Sequence, residues 1–165
     1  MTRTVELPTV AETRALGRAL ASVLRAGDLV VLAGPLGAGK TVLAQGIGDG
    51  LRVAGPVTSP TFVIARVHQP DRERGGTLPM VHVDAYRLGA VPDPRAEVDD
   101  LDLDAVTEES VTVVEWGEGM VEHLADAHLL VRLARGEGEA RRAELVGRGG
   151  DWPHRLAAVA ARQGG

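Results

Sequence analysis

Short apolar runs, bounded by glycine, proline or charged residues, recur along the chain and predict β-strands. One of these runs, at residues 29–33, is continuously apolar, which is typical of a strand buried on both faces of a parallel sheet. The last two runs flank the segment ARGEGE and predict a hairpin. The predicted strands lie at residues 4–7, 29–33, 63–67, 80–83, 111–114, 128–133 and 140–146.

Helical spacing of apolar residues separates several of these strands. Residues 10–24 show such a pattern, with Thr9 as the N-cap, Glu12 three residues later as in a capping box, and Gly27 as the stop. The remaining segments divide into helices and loops. Helices are predicted from the loop after the second strand to about residue 51, near residue 108, over 120–124 and in the tail from 151, and irregular segments over 68–77 and 89–104.

The eight residues GPLGAGKT, at 34–41, follow the second predicted strand and precede a helical pattern. They match G-x-x-x-x-G-K-[ST] in the strand–loop–helix context of a phosphate-binding loop. Gly37 and Gly39 let backbone N–H groups close around phosphate oxygens, and the start of the helix favours the same anion. Lys40 can reach the β- and γ-phosphates, and the Thr41 hydroxyl can ligate Mg²⁺. The sequence therefore predicts a nucleotide-binding loop, in preference to an ordinary glycine-rich turn.

Lys40 is the sole lysine of the chain, which otherwise uses 17 arginines as its cations. A lysine ammonium is a slim point charge, whereas a guanidinium is a wide planar fork. The chain thus places its one lysine where a compact cation must fit beside phosphate, which strengthens the prediction.

The alternation of strands and helices predicts a single domain over residues 1–165 with an α/β fold. We expect a three-layer domain of the P-loop NTPase type, with a mainly parallel sheet plus antiparallel strands. Ligands of such sheets bind at the carboxyl ends of the strands. Asp84 and Glu115 each end a predicted strand, so either can hold Mg²⁺ directly or through water, the alternative being a solvated strand-end acid.

Composition narrows the possible classes of protein. The chain has no cysteine, which excludes disulfides, thiolate metal sites and a cysteine nucleophile, and fits a reducing cytoplasm. A net charge of −5 argues against autonomous binding to a nucleic-acid backbone. Because no apolar run reaches about 18 residues and the first residues lack an apolar signal core, we expect a cytoplasmic protein with no membrane segment.

Four blocks in order closely resemble the bacterial TsaE family: GPLGAGKT, SPTF at 59–62, HVDAYRL at 82–88 and VEW at 114–116. The LP…LG opening of the chain agrees as well. The resemblance implies a slow ATPase of tRNA N6-threonylcarbamoyladenosine biosynthesis that works with TsaB and TsaD. TsaD transfers the threonylcarbamoyl group to adenosine 37, and ATP hydrolysis resets the complex. The resemblance thus implies that the chain meets tRNA only through that complex.

The same resemblance assigns roles to individual residues. Thr41 and Glu115 would ligate Mg²⁺, and Lys40, Asp84 and Glu115 would serve catalysis, with the division between the two acids left open. Ser59 and Thr61 would belong to a switch-like segment that senses the γ-phosphate. The residues expected to contact ATP are Thr9, Gly34, Leu36, Gly37, Ala38, Gly39, Lys40, Thr41, Val42, Ser59, Thr61 and Trp116.

Two neighbours of these residues allow more than one interpretation. Trp116 follows Glu115 and is either a core aromatic or a side chain that covers the nucleotide or meets a partner. His82, two residues before Asp84, is interpreted first as a hydrogen-bonded structural histidine.

Two other classes of nucleotide-binding protein compete with the partner-dependent ATPase. A small-molecule kinase needs an arginine-rich lid, and residues 68–77, with Arg72 and Arg74, are the nearest candidate. A GTPase usually needs N-K-x-D, but this chain has no asparagine and no second lysine. ATP is therefore the expected nucleotide.

Overall fold

The computed structural model describes residues 2–35, 37–57, 65–84, 108–115 and 127–163, without the side chains of residues 65, 84 and 160–163. The helix predicted over 120–124 and the irregular segment at 89–104 lie outside these residues. The helix predicted to end near 108 also lies outside them except for residue 108 itself, which is in a turn. The described elements are β1 (Thr2–Leu7), α1 (Val10–Ala21), β2 (Leu29–Ala33), α2 (Lys40–Leu51), β3 (Ala65–His68), a 3₁₀ turn (Arg72–Arg74), β4 (Met80–Asp84), β5 (Val111–Glu115), β6 (His128–Arg135), β7 (Arg141–Arg148) and α3 (Trp152–Gln163).

The described strands form one sheet in the order β1-β7-β6-β2-β5-β4-β3. Its four central strands are parallel, because β2 pairs with both β6 and β5, and β5 pairs with β4. Both edges are antiparallel, with β1 and β7 on one side and β3 on the other. The predicted α/β sheet, parallel with added antiparallel strands, is confirmed, and β2 and β5 bring their carboxyl ends to one edge.

The central strands of the sheet, β2 and β5, are buried on both faces. One face packs against α1, α2 and α3 through the main core, and the opposite face is also excluded from solvent. Continuous apolar strands are expected in this setting, because each face of a central parallel strand is covered. The core side is formed by Val30, Leu32, Val113, Leu129 and Val131, and the opposite side by Val31, Val81, Val83, Val114 and Leu130.

Helix α1 begins where the sequence predicts and ends earlier. The Thr9 hydroxyl accepts a hydrogen bond from the Glu12 backbone N–H at 3.2 Å, so the predicted N-cap is confirmed. The helix ends at Ala21 instead of residue 24, because the backbone N–H groups of the following residues bond three residues back. The Ser22 hydroxyl also donates to the Ala19 carbonyl at 2.6 Å. The last apolar residues of the predicted helix therefore lie in a tight turn.

The loop predicted over residues 68–77 is shorter than expected. His68 belongs to β3 and is buried, so its assignment to a surface loop was wrong. The remainder folds back toward the end of α2: the Asp71 N–H donates to the Arg52 carbonyl at 2.8 Å, and Arg52 Nη1 donates to the Arg74 carbonyl at 3.1 Å. No helix in the described residues is long and apolar enough to cross a membrane.

Helices α1 and α2 approach each other closely because glycines lie at their contact. A methyl group added at Gly17 would lie 2.5 Å from the carbonyl oxygen of Leu43 and 2.7 Å from the N–H nitrogen of Ile47. One added at Gly46 would collide with the carbonyl oxygen of Arg14. The two backbones are thus in direct contact, which fixes the position of α1 relative to the loop that precedes α2.

We expect Gly46→Ala to lower the free energy of unfolding by about 2 kcal/mol, because the new methyl group meets backbone that cannot move aside. Chemical denaturation measures the change. Gly48→Ala is the matched control in the same helix, since its methyl group would meet side chains, those of Val57, Val53 and Met80, and no backbone. It should cost less than Gly46→Ala, by about 1 kcal/mol. Equal losses in the two variants would contradict the close contact.

Candidate nucleotide-binding site

The loop between β2 and α2 has the backbone shape of an anion cradle. Gly39 has a φ of 101° and is the N-cap of α2, and no side chain caps the first N–H groups of that helix. Gly34 has a φ of 146°, and a methyl group there would collide with the Leu133 carbonyl of β6. A side chain is therefore excluded at both ends of the loop, and the helix directs its N-terminal N–H groups toward the loop.

Lys40 is held inside this loop. Its Nζ donates to the carbonyl oxygens of Gly34 at 2.6 Å and Pro35 at 2.8 Å, and the residue is 5% exposed. A buried ammonium needs hydrogen-bond acceptors, and the loop backbone supplies them. The one lysine charge of the chain is thus fixed at the centre of the loop.

A buried carboxylate connects α2 to two central strands. Glu115, at the end of β5, is 3% exposed. Its Oε1 accepts a hydrogen bond from the Thr41 hydroxyl at 3.1 Å, and its Oε2 lies 2.5 Å from Nε2 of His82. His82 lies in the middle of β4 and is fully buried. β4 and β5 are parallel, and His82 is the register partner of Val113, two residues before Glu115, which brings the ring beside the carboxylate.

His68 packs beside this cluster without joining it through a hydrogen bond. Its ring centroid lies 6.4 Å from that of His82, and its Nε2 has no hydrogen-bond partner among the described residues. Burial lowers the pKa of His68 from its usual value of 6.5, and the nearby His82 and Arg66 lower it further. The environment therefore favours the neutral ring at this position.

The other flank of the loop is lined by α1 and by the β6–β7 hairpin. Methyl groups added at Gly39 and Gly37 would lie 3.5 Å from Thr13 Cγ2 and 3.8 Å from Arg135 Nη1, respectively. Arg141 approaches Gly39 in the same way and pairs with Arg135 across the two strands. The loop therefore has a hydroxyl and an acid on its β5 side and the Arg135 guanidinium on its β6 side. Arg141 approaches with its Cγ only, since its guanidinium donates to the carbonyls of Gly138 and Ala140.

The structure brings most of the predicted loop residues together. Gly34, Gly37, Ala38, Gly39, Lys40, Thr41 and Val42 surround the end of β2. Thr9 lies one helical turn from Thr13, whose hydroxyl donates to the Thr9 carbonyl at 3.4 Å. Asp84 is the register partner of Glu115, so both acids end at the same edge of the sheet. Leu36, Ser59, Thr61 and Trp116 lie outside the described residues.

Sequence reasoning missed two contributions to this site. The side chains of Arg135 and Arg141 belong to no sequence motif and were not singled out. Their proximity to the loop depends on how the β6–β7 hairpin folds beside β2. His82 was predicted to be hydrogen-bonded, and the structure confirms the bond; that its partner is Glu115 was not foreseen.

The donor set fits a magnesium nucleotide. Hydroxyl and carboxylate oxygens are the ligands that Mg²⁺ prefers, and Thr41 and Glu115 supply one of each beside the loop. The described residues contain no cluster of three acidic or histidine side chains.

The parallel sheet, the glycine-lined loop and the lysine at its centre define an α/β domain of the P-loop type. A structure of Bacillus subtilis YdiB shares this fold with a TM-score of 0.78, covers 99% of this chain and 97% of its own, and is 24% identical in sequence. The family model described as threonylcarbamoyl adenosine biosynthesis protein TsaE matches residues 7–143. The chain belongs to the TsaE family.

Curated relatives agree with this assignment. The tRNA threonylcarbamoyladenosine biosynthesis protein TsaE of Mycobacterium tuberculosis is 57% identical over 134 residues, which cover 80% of this chain and 79% of the relative. The protein of the same name from Streptomyces coelicolor is 54% identical over 143 residues, 84% of this chain and 93% of the relative. That from Bacillus subtilis is 34% identical over 131 residues, 79% and 76% respectively.

We expect acidification to destabilise the protein partly through His68. Because its pKa is lowered by folding, the unfolded chain binds more protons once the pH falls below about 6.5, and this shifts the equilibrium toward unfolding. Thermal unfolding at about pH 7.5 and about pH 5.5 should show a smaller drop in Tm for His68→Gln than for wild type. His154→Gln, at an exposed position, is the control. An unchanged drop in His68→Gln would contradict the expectation.

Proposed function

We propose that this chain binds ATP with Mg²⁺ in the 34–41 loop, hydrolyses it slowly, and acts with TsaB and TsaD homologues in forming N6-threonylcarbamoyladenosine at position 37 of tRNA. The buried Thr41–Glu115 pair beside the Lys40 loop is the observation that carries the nucleotide part of the proposal. Membership in the TsaE family supports the pathway. The net charge of −5 supports contact with tRNA through partners.

The loop residues supply binding and charge. The Lys40 ammonium neutralises phosphate charge, and the N–H groups at the start of α2 donate to phosphate oxygens. Arg135 would add positive charge on the opposite flank of the loop from Glu115, since its Nη1 approaches Gly37. Among described residues, no carboxylate pairs with Arg135. The centre of the loop and its β6 flank thus favour a polyanion.

Thr41 and Glu115 would hold Mg²⁺, and Asp84 at the adjoining strand end would assist them. The metal, when bound, neutralises charge on the transferred phosphoryl group. Glu115 is buried and fixed by hydrogen bonds on both oxygens, so it would meet the metal without losing freedom on binding. Ser59, Thr61 and Trp116 stay predictions for the γ-phosphate and the nucleotide.

The fold disfavours the alternative of a small-molecule kinase. Its candidate lid, with Arg72 and Arg74, is bonded to Arg52 at the C-terminal end of α2. The phosphate loop is at the other end of this 12-residue helix, about 17 Å away. Those two arginines therefore lie too far from Lys40 to close over a nucleotide.

Reconstitution with TsaB and TsaD homologues, tRNA, a pre-formed activated threonylcarbamoyl donor and ATP tests the proposal. Nucleoside chromatography then counts modified adenosines per TsaD. Wild type should sustain many turnovers, and Lys40→Ala should reduce ATP hydrolysis on the order of 100-fold and stop repeated turnover, because the central cation is lost. Arg142→Ala is the control, since Arg142 is exposed and its ion pair is with Glu6 on β1. Product yield that is independent of the chain would refute the proposal.

Glu115→Gln should lower magnesium-dependent turnover by about 10–100-fold, because a neutral amide is a poor ligand for Mg²⁺. Affinity for ADP measured in EDTA should change less than about threefold, since the phosphate loop is intact. ATPase assays over a series of Mg²⁺ concentrations and titration with a fluorescent ADP give the two readings. Glu144→Gln, on the surface of β7, is the matched control. Turnover equal to wild type at every Mg²⁺ concentration would remove Glu115 from the metal site.

A further inference from the structure

We propose that His82 is a positioning residue: its ring holds the Glu115 carboxylate in the orientation that faces Thr41 and thereby sets the affinity for the metal. This inference rests on the proposed function, since Glu115 acts as a metal ligand only if the chain binds a divalent ion with its nucleotide. It gives a role in the site to a side chain that lies in a strand interior, away from the loop.

The location of His82 calls for a specific partner. It occupies the middle of β4, between β3 and β5, and both its neighbours along the strand, Val81 and Val83, are buried apolar residues. His82 itself is fully buried. An apolar side chain would fill this place without needing any hydrogen bond, whereas an imidazole there must find a polar partner to avoid a desolvation penalty. Among the described residues, the hydrogen bond that meets this need of the imidazole is the one with Glu115.

The geometry ties down both oxygens of the carboxylate. Oε2 of Glu115 lies 2.5 Å from Nε2 of His82, while Oε1 accepts from the Thr41 hydroxyl at 3.1 Å. An ionised carboxylate only accepts hydrogen bonds, so the ring donates from Nε2. With one oxygen held from the sheet and the other from α2, the carboxylate group cannot rotate. Its Oε1 stays directed at the residue that follows Lys40.

Among the described residues, His82 forms its hydrogen bond with the Glu115 side chain and not with the backbone of the sheet. Its other ring nitrogen, Nδ1, has no hydrogen-bond partner among the described residues. A histidine that only braced the sheet would be expected to bond a backbone group of the sheet. Partners of metal-ligating carboxylates usually tune metal affinity, and removing one typically weakens the metal by about 10–100-fold. We expect an effect of this size here.

Two substitutions separate the hydrogen bond from the packing. His82→Leu keeps a buried side chain of similar size and removes the donor, and His82→Gln keeps an N–H donor near the position of Nε2. His68→Gln is the matched control, because His68 is a neighbouring buried histidine with no recorded bond to Glu115. The primary measurement is the affinity of each variant for Mn²⁺ in the presence of ADP, determined by electron paramagnetic resonance. ADP affinity in EDTA and thermal unfolding accompany it.

We expect His82→Leu to weaken Mn²⁺ binding by about 10–100-fold, His82→Gln to recover most of it, and His68→Gln to stay near wild type. ADP affinity without metal should be unchanged in all three. Wild-type metal affinity in a folded His82→Leu variant would overturn the inference and leave the proposed function standing. A glutamine variant as weak as the leucine variant would also overturn it. Wild-type chain that binds ADP but no Mn²⁺ would overturn the inference and the proposed metal site together.

A measurement on the unsubstituted chain covers the case in which His82→Leu does not fold. Nitrogen-15 histidine spectra should show a slowly exchanging Nε2 proton of His82 with a downfield shift, as expected for a short bond to a carboxylate. Adding Mg²⁺ with ADP should move this resonance, because the metal draws charge from Glu115. A rapidly exchanging proton, or a resonance that does not shift when Mg²⁺ and ADP are added, would overturn the inference.

Discussion

The burial of one carboxylate constrains the centre of this molecule. Glu115 is almost fully removed from water at the end of β5, and a buried acid is tolerated only where hydrogen-bond donors surround it. Those donors come from the start of α2 and from the middle of β4. A single side chain on β5 therefore links the start of α2, after the phosphate loop, to β4. The hydrogen bonds that compensate for burying this carboxylate are the same contacts that form the site.

Much of the fold follows from sequence pattern. Short, largely apolar runs predicted β2, β4 and β5, and the structure confirms them with strand ends within one residue. The sequence also predicted the hairpin and the Thr9 cap. The errors arose where local signals compete with tertiary contacts: α1 ends early in a tight turn, and His68 looks polar in sequence although it is buried against His82. Strand order required long-range pairing, which no local pattern reports.

The candidate site divides in the same way. The loop and the strand-end acids were predictable because G-x-x-x-x-G-K-[ST] and an acid after an apolar run are local patterns with a known geometry. The structure places Thr41 and Glu115 in contact, whereas Asp84 is located only through its backbone register with Glu115. Arg135 and Arg141 reach the loop through the packing of a hairpin more than 90 residues later in the chain, and nothing in their immediate sequence indicates it.

The glycine contacts between α1 and α2 have a consequence for how this domain responds to a ligand. With backbone against backbone at Gly17 and Gly46, there is no layer of adjustable side chains between the helices, so they move as one rigid body. The first turn of α1, beside Gly39, is then preorganised, and it cannot move toward a bound ligand independently of α2. Any induced fit on that flank must come from the hairpin, whose arginine side chains are long and rotatable.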